Sequence, residues 1–214
     1  LIVMVPPTLV NFLWLRMSKK RVLALSVAAT AVFAPPVELV SRLSDAWEVQ
    51  SIFPRLFGEI SVENMIFAFV NFVWVLSFYE YFVKGDQAGG ISRNFRYLVA
   101  IFAIFATVIF YLFSIDPALV AMTYFEISLL VLIIPCIVIF SARPRLLAKI
   151  VLPTIFFALV FFVYEVVSLA IGSWWWPGEY LIPLKFGGII FPLDDVIFWY
   201  LLSTPALIGG YEIF

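Results

Sequence analysis

Apolar residues are gathered along the chain into seven long stretches that are separated by short polar segments. A helix crosses the hydrocarbon core of a membrane in about 20 residues, and each stretch approaches that length. The sequence therefore predicts an all-α, polytopic transmembrane helical bundle. The predicted spans cover residues 1 to 17, 22 to 42, 62 to 83, 97 to 115, 118 to 142, 149 to 172 and 192 to 214. The first stretch has no initiator methionine, which indicates a sequence that is truncated or processed at this end.

The composition of the chain is that of an integral membrane protein. Hydrophobic residues make up 64% of it and charged residues 13%, and the mean hydropathy is +1.11, whereas a soluble domain is nearer half apolar. The net charge of −1 gives no field that would attract nucleic acid. Cys136 is the only cysteine and histidine is absent, so we expect no internal disulfide, no metal site and no other cofactor.

Basic residues favour one orientation in the membrane. If the spans are correct, Arg42, Arg55 and Lys185 lie on one face and the other ten of the 13 basic residues lie on the opposite face. By the positive-inside rule the face with ten is cytoplasmic. The sequence thus predicts a plasma or intracytoplasmic membrane protein, with its N-terminus and its acidic motifs toward the non-cytoplasmic side.

Two parts of the chain repeat one order of features. Each has an acid near the end of a helix, then a loop with tryptophan, then an acid at the head of an apolar helix that ends in Tyr-Glu. We predict a first repeat over 1–83, a Gly-containing linker with a connecting transmembrane helix over 84–117, and a second repeat over 118–214. Corresponding helices are four spans apart, so the repeats are expected to be parallel, with helix 97 to 115 outside the pseudo-symmetry.

Six acids map to the outer half of the predicted helices. A carboxylate deep in a bilayer costs roughly 2.5–3.5 kcal/mol, so such acids are functional candidates. No lysine or arginine lies in the interior of these spans to pair with them, and they cannot all stay ionised so close together. The sequence therefore predicts a proton donor beside a proton acceptor. The six acids are Glu38, Glu63, Glu126, Glu165, Asp194 and Asp195.

Several of the acids also have an ordinary structural explanation. Glu63, Asp194 and Asp195 stand in first helical turns, where a carboxylate is favoured by open N–H groups and by the helix dipole. Glu80 and Glu212 fall near the opposite helix ends, where we interpret them as interfacial anchors. The tryptophans of the two loops can likewise be an interfacial aromatic belt.

The motifs resemble those of the small membrane-integral lycopene cyclase family, which occurs as paired subunits or as fused tandem domains. The resemblance rests on Asp45-Ala46-Trp47, on a glycine shortly before an acidic motif, and on an aromatic-rich helix that ends in Tyr-Glu, and it covers nearly the whole chain. The family motif is Pro-x-Glu-Glu or Pro-x-Glu-Asp. This chain has Ser61-Val62-Glu63-Asn64, which lacks the proline and the second acid, and Pro192-Leu193-Asp194-Asp195, with Asp in place of the first Glu.

The resemblance implies cofactor-independent cyclisation of one or both linear ends of lycopene or of a related acyclic carotenoid, within the membrane. Asp194 or Asp195 is then the candidate proton donor, and Glu165 or Glu63 the candidate acceptor. Cyclisation also needs a dry cavity and aromatic faces that stabilise a carbocation. The residues expected to bind the substrate are Glu38, Trp47, Trp174, Trp175 and Phe198.

Other functions remain open at this point. The altered first motif also suits an enzyme that acts on one end of its substrate, or a catalytically inactive subunit that binds carotenoid or scaffolds a larger membrane complex. A proton-coupled transporter is a third possibility. The expected partners are an acyclic carotenoid, membrane lipid, and further copies of the chain or other subunits of a membrane complex.

Overall fold

The computed structural model describes residues 3–87 and 90–214, so Leu1 and Ile2 of the first predicted span and Gly89 of the predicted linker lie outside the described residues. About 70% of the chain is helical, which confirms the all-α helical bundle. The helices are α1 (Val5–Trp14), α2 (Lys19–Leu43), α3 (Val62–Lys84), α4 (Phe95–Ile115), α5 (Tyr124–Ala142), α6 (Leu146–Ala170) and α7 (Leu193–Ile213).

Six of these helices, α2 to α7, are long and apolar enough to cross a membrane, as six of the predicted spans require. The first predicted span differs. Helix α1 has ten residues and is thus about 15 Å long, which is half of the hydrocarbon core. The span predicted from residue 118 also starts later, at Tyr124, because Thr123 and Glu126 form a capping box there. A short 3₁₀ helix, Pro117–Val120, precedes it.

Helix α3 lies at the centre of the bundle. The second half of α3 is buried on all sides, from Val73 to Glu80, and it packs against α1, α2 and α7. Helix α4 is peripheral instead and exposes Ile101, Ile104 and Val108. Such an apolar surface suits contact with lipid. Buried polar groups lie instead on helices of the core, such as Asn71, Ser77 and Glu80 on α3.

The loops that carry the tryptophans meet at one end of the bundle, which we call the motif end. Strand β1 (Glu48–Val49) pairs antiparallel with β2 (Trp174–Trp175), and the Tyr180 hydroxyl donates a 2.5 Å hydrogen bond to the Ala46 carbonyl. Gly178 is required here, because a Cβ atom at this position would lie 2.7 Å from the Asp45 carbonyl oxygen. A hairpin of β3 (Pro183–Phe186) and β4 (Ile189–Pro192) then leads directly into α7.

Helix α7 contains a π-helical turn, Val196–Tyr200, immediately after its two aspartates. Such a turn accommodates one extra residue within a helix and is frequent at functional sites. Helix α3 also contains a π-helical turn, Tyr79–Lys84, which includes its Tyr-Glu pair. The Tyr-Glu pairs of both helices lie at the opposite end of the bundle, which we call the basic end.

Candidate functional site

A buried glutamate of α2 is held by one side chain from the loop and one from α3. Glu38 is 5% exposed, and its Oε2 accepts hydrogen bonds from Trp47 Nε1 at 3.1 Å and from Asn64 Nδ2 at 2.7 Å. Trp47 lies on the loop that follows α2, and Asn64 in the first turn of α3. Asn64, which stands in place of the second acid of the motif, is therefore a hydrogen-bond donor to Glu38.

The second half of the chain has the same arrangement with one change. Glu165 of α6 is 1% exposed, and its Oε1 accepts a 2.7 Å hydrogen bond from Trp176 Nε1 in the following loop. Asp195 of α7 is 3% exposed, and it lies near Glu165: its hydrogen-bond donor Tyr124 has its ring 5.6 Å from that of Trp176, the donor to Glu165. Where the first half has a carboxyl and an amide, the second half thus has two carboxyl groups.

A tyrosine from α5 completes the second half. The Tyr124 hydroxyl donates a 2.6 Å hydrogen bond to Asp195 Oδ1, and both side chains are buried. One oxygen of Asp195 is therefore occupied by Tyr124, and its other oxygen is available for a proton. We call Glu165, Asp195 and Tyr124 the acid site.

Aromatic rings surround the acid site and connect it to Glu38. The Tyr124 ring lies 5.9 Å from Trp47, 5.6 Å from Trp176, 6.0 Å from Tyr180 and 6.5 Å from Phe198. These five residues, the aromatic cluster, come from both halves of the chain. Ring faces stabilise positive charge in a dry environment, so the cluster suits a cationic intermediate.

The two outer acids of the motifs hold loops and not the acid site. Glu63 accepts hydrogen bonds from the Ile52 and Phe53 N–H groups, the latter at 2.8 Å. Asp194 Oδ2 accepts one from the Leu181 N–H at 2.8 Å. In each half the first acid of the motif therefore fixes the preceding loop, while at the second position Asn64 donates to Glu38 and Asp195 accepts from Tyr124.

Tyr180 joins the two loops and keeps its proton. Burial raises its pKa, the Gly178 N–H partly offsets this, and the nearby carboxyls Asp195 and Asp194 raise it further, to about 12. The hydroxyl is therefore protonated across the physiological range and remains a donor to the Ala46 carbonyl.

Glu80 at the basic end was expected to be an interfacial anchor, and this is wrong, since Glu80 is only 1% exposed. Its carboxylate accepts a 2.6 Å hydrogen bond from the Tyr211 hydroxyl and lies 3.3 Å from Lys84 Nζ and 3.8 Å from Arg21. Lys84 also lies 3.0 Å from Glu212 Oε1. We call this group the Glu80 cluster. It joins the ends of α3 and α7 and combines both Tyr-Glu pairs.

The structure brings together some of the residues that the sequence singles out. Glu165 and Asp195 lie in the acid site, and Trp47 and Phe198 lie in the aromatic cluster around it. Glu38 accepts from Trp47 beside the site, and Glu63 and Asp194 do not contribute to it. Glu126 closes its capping box with a 2.8 Å hydrogen bond from the Thr123 N–H, so an ordinary structural role explains it.

Trp176, Tyr124 and Tyr180 are site residues that sequence reasoning missed. For Trp176 a signal existed: successive side chains of a strand point to opposite faces, so Trp174 and Trp176 share a face and Trp175 does not. Trp175 is accordingly 45% exposed, and Trp174 packs 5.0 Å from Tyr164 and 6.4 Å from Trp176. For Tyr124 no local signal existed, because Asp195 is 71 residues away.

The acid site provides a carboxyl group that can donate a proton, a second carboxyl that can accept one, and aromatic faces between them. Within residues 3–87 and 90–214, no group of three or more Cys, Asp and Glu side chains is arranged to hold a metal ion. Comparisons with protein-family models, with characterised proteins and with solved structures give no match.

Proposed function

We propose that the protein is an integral membrane enzyme that cyclises a linear end of an acyclic carotenoid by acid–base catalysis at the acid site. The observation that carries this proposal is the pair of buried carboxyl groups, Asp195 and Glu165, whose hydrogen-bond donors Tyr124 and Trp176 have adjacent rings 5.6 Å apart. Carboxyl groups so deep in a bundle of apolar helices are rare and usually functional.

In the proposed reaction Asp195 donates its proton to a carbon of the terminal double bond. The resulting tertiary carbocation is attacked by the π electrons of a neighbouring double bond, which closes the ring and moves the positive charge onto it. Glu165 then removes a proton from a ring carbon, and that C–H pair becomes a new double bond. One proton enters and one leaves, so the product is an isomer of the substrate and no cofactor takes part.

Tyr124 and the aromatic cluster support both steps. The Tyr124 hydroxyl fixes Asp195 by one oxygen, which leaves the other to carry the transferred proton. The rings of Trp47, Trp176 and Phe198 lie around Tyr124, where their faces stabilise the carbocation. They also keep out water, which would otherwise capture the carbocation.

The first half of the chain is proposed to bind the substrate and not to react with it. Asn64 occupies the position that corresponds to Asp195, and an amide is not an acid of useful strength. Glu38 already accepts hydrogen bonds from Asn64 and Trp47. We therefore favour cyclisation of one end of the carotenoid.

The proposal includes the arrangement in the membrane. We propose two parallel repeats around a pseudo-two-fold axis along the membrane normal, with α4 outside them and the basic end in the cytoplasm. The matching Glu–Trp hydrogen bonds and the pairing of β1 with β2 support this arrangement. Lys84 and Arg21 at the basic end agree with the positive-inside rule.

The test is expression of the protein in cells whose membranes accumulate lycopene, followed by chromatography and mass spectrometry of the pigments. We expect a product with the mass of lycopene and one cyclic end. Only acyclic pigment, at a normal level of membrane-inserted protein, would contradict the proposal. Unchanged lycopene that co-purifies with the protein would instead indicate a carotenoid-binding subunit.

A further inference from the structure

Four side chains in the core of the bundle each have a buried polar atom that lacks a hydrogen-bond partner. Asn71 Oδ1, Trp74 Nε1 and Ser77 Oγ lie on α3, and Thr204 Oγ1 on α7, and none finds a partner among residues 3–87 and 90–214. All four side chains are at least nine-tenths buried, with Ser77 at 0% and Thr204 at 1% exposure. Burying a polar group without a partner is costly, and within a membrane no bulk solvent compensates for it.

These groups lie between the two clusters of carboxyl groups. Helices α3 and α7 pack against each other, and Tyr200, Thr204 and Tyr211 recur at helical spacing along one buried face of α7. At one end of this face the Tyr200 hydroxyl faces Asp195 without reaching hydrogen-bond geometry, and at the other end Tyr211 donates to Glu80. The interface of α3 and α7 therefore connects the acid site to the Glu80 cluster.

Two phenylalanines of α6 connect Trp74 of α3 to Tyr200 of α7. The Trp74 ring lies 5.3 Å from Phe157, and Tyr200 lies 6.4 Å from Phe161, while the two phenylalanine rings are 6.0 Å apart. Pro205 adds a further acceptor, because it has no N–H and leaves the carbonyl of Leu201 without its usual helical partner.

We propose that water molecules bind along the interface of α3 and α7, at Asn71, Trp74, Ser77 and Thr204, and link Asp195, on its Tyr200 side, to the Glu80 cluster. Water is the partner that fits, because buried waters typically satisfy two to four polar groups that the protein leaves unpaired. Polar groups aligned in this way within a membrane protein are typical of proton relays, and such a row of waters can exchange protons between Asp195 and Glu80. The hydration of this interface does not depend on the proposed reaction.

Radiolytic footprinting of the purified full-length chain tests the proposal. A brief X-ray pulse converts water to hydroxyl radicals, and a buried side chain is oxidised only where a bound water lies beside it. We expect Trp74 and Tyr200 to be oxidised several-fold faster than Phe157 and Phe161, each rate being divided by the rate of the same residue in the unfolded protein. The phenylalanines are matched controls, because they are equally buried and contact the two reporters.

A pair of variants decides whether the oxidation depends on the proposed waters. Thr204→Val keeps the shape of the side chain and removes its hydroxyl, and we expect it to lower the oxidation of Tyr200 and Trp74 several-fold. Thr107→Val makes the same change on the exposed surface of α4 and should leave both rates unchanged. Equal, low oxidation of the two reporters and the two control phenylalanines in the wild-type protein, or reporter rates that Thr204→Val leaves unaltered, would overturn the proposal.

Discussion

Tyr124→Phe is the substitution that isolates the contact between α5 and α7. It removes one hydroxyl and leaves the ring in the aromatic cluster, so the packing distances to Trp47 and Trp176 need not change. What is lost is the 2.6 Å hydrogen bond to Asp195 Oδ1, between two side chains that are both buried. Asp195 keeps no equivalent donor at that oxygen, since the Tyr200 hydroxyl does not reach hydrogen-bond geometry.

The size of the effect follows from the burial of this hydrogen bond. Leaving the buried Asp195 acceptor without its donor costs about 1–3 kcal/mol. For a chain of this length, a loss of 1 kcal/mol in the free energy of unfolding lowers the Tm by about 2–4 °C. We therefore expect Tyr124→Phe to lower the Tm by about 2–12 °C.

Thermal unfolding of the detergent-solubilised protein, followed by intrinsic tryptophan fluorescence, measures this shift. The matched control is Tyr111→Phe, the same change on α4, where the side chain is 63% exposed and should contribute little. Equal Tm values for Tyr124→Phe and the wild-type protein would refute the assignment of this hydrogen bond as the contact that fixes Asp195.

Three further predictions concern single acids. Glu165→Gln should abolish cyclic product in lycopene-containing membranes, because the amide cannot accept the ring proton; normal product would exclude Glu165 as the base. Glu63→Gln should leave most of the product, because its amide oxygen can still accept the Ile52 N–H; complete loss would contradict a loop-fixing role. Burial raises the pKa of Asp86, but hydrogen bonds, foremost from the Arg16 N–H, outweigh this and lower it. Asp86 should therefore stabilise the fold above about pH 4 and lose this contribution as the pH falls through its lowered pKa; melting curves of Asp86→Asn should lack this acid-dependent step.

The positions of six helices could be predicted from the sequence, because a helix that crosses a membrane needs a run of about 20 apolar residues. The run predicted at 97 to 115 is α4, Phe95–Ile115, and the run at 192 to 214 is α7, Leu193–Ile213. The first apolar run, predicted as a span over 1 to 17, does not form a helix of membrane-spanning length among its described residues. Its described residues form a helix only to Trp14, after which Leu15 is extended, and a hydropathy average does not detect this break.

The two carboxyl groups of the acid site were predictable from the sequence, whereas Tyr124 and the contacts of the site were not. Glu165 and Asp195 stood out because carboxyl groups inside a membrane are costly. Hydropathy does not reveal which of two adjacent aspartates faces the core, and Asp194 was an equal candidate until its hydrogen bond to the Leu181 N–H was known. The role of Tyr124 depends on a contact between distant helices, for which no local pattern exists.

The most direct test of the proposed function compares Asp195→Asn with Asp194→Asn in lycopene-containing membranes, at equal levels of inserted protein. The two positions are adjacent and the change is identical, so the effects of side-chain size and position on membrane insertion are matched. General acid catalysis is typically worth about 10²–10⁴ in rate, and we expect Asp195→Asn to lose that much cyclic product. Asp194→Asn should retain it, because an amide oxygen can still accept the Leu181 N–H. Equal loss from both variants, or full activity of Asp195→Asn, would contradict the assignment of Asp195 as the proton donor.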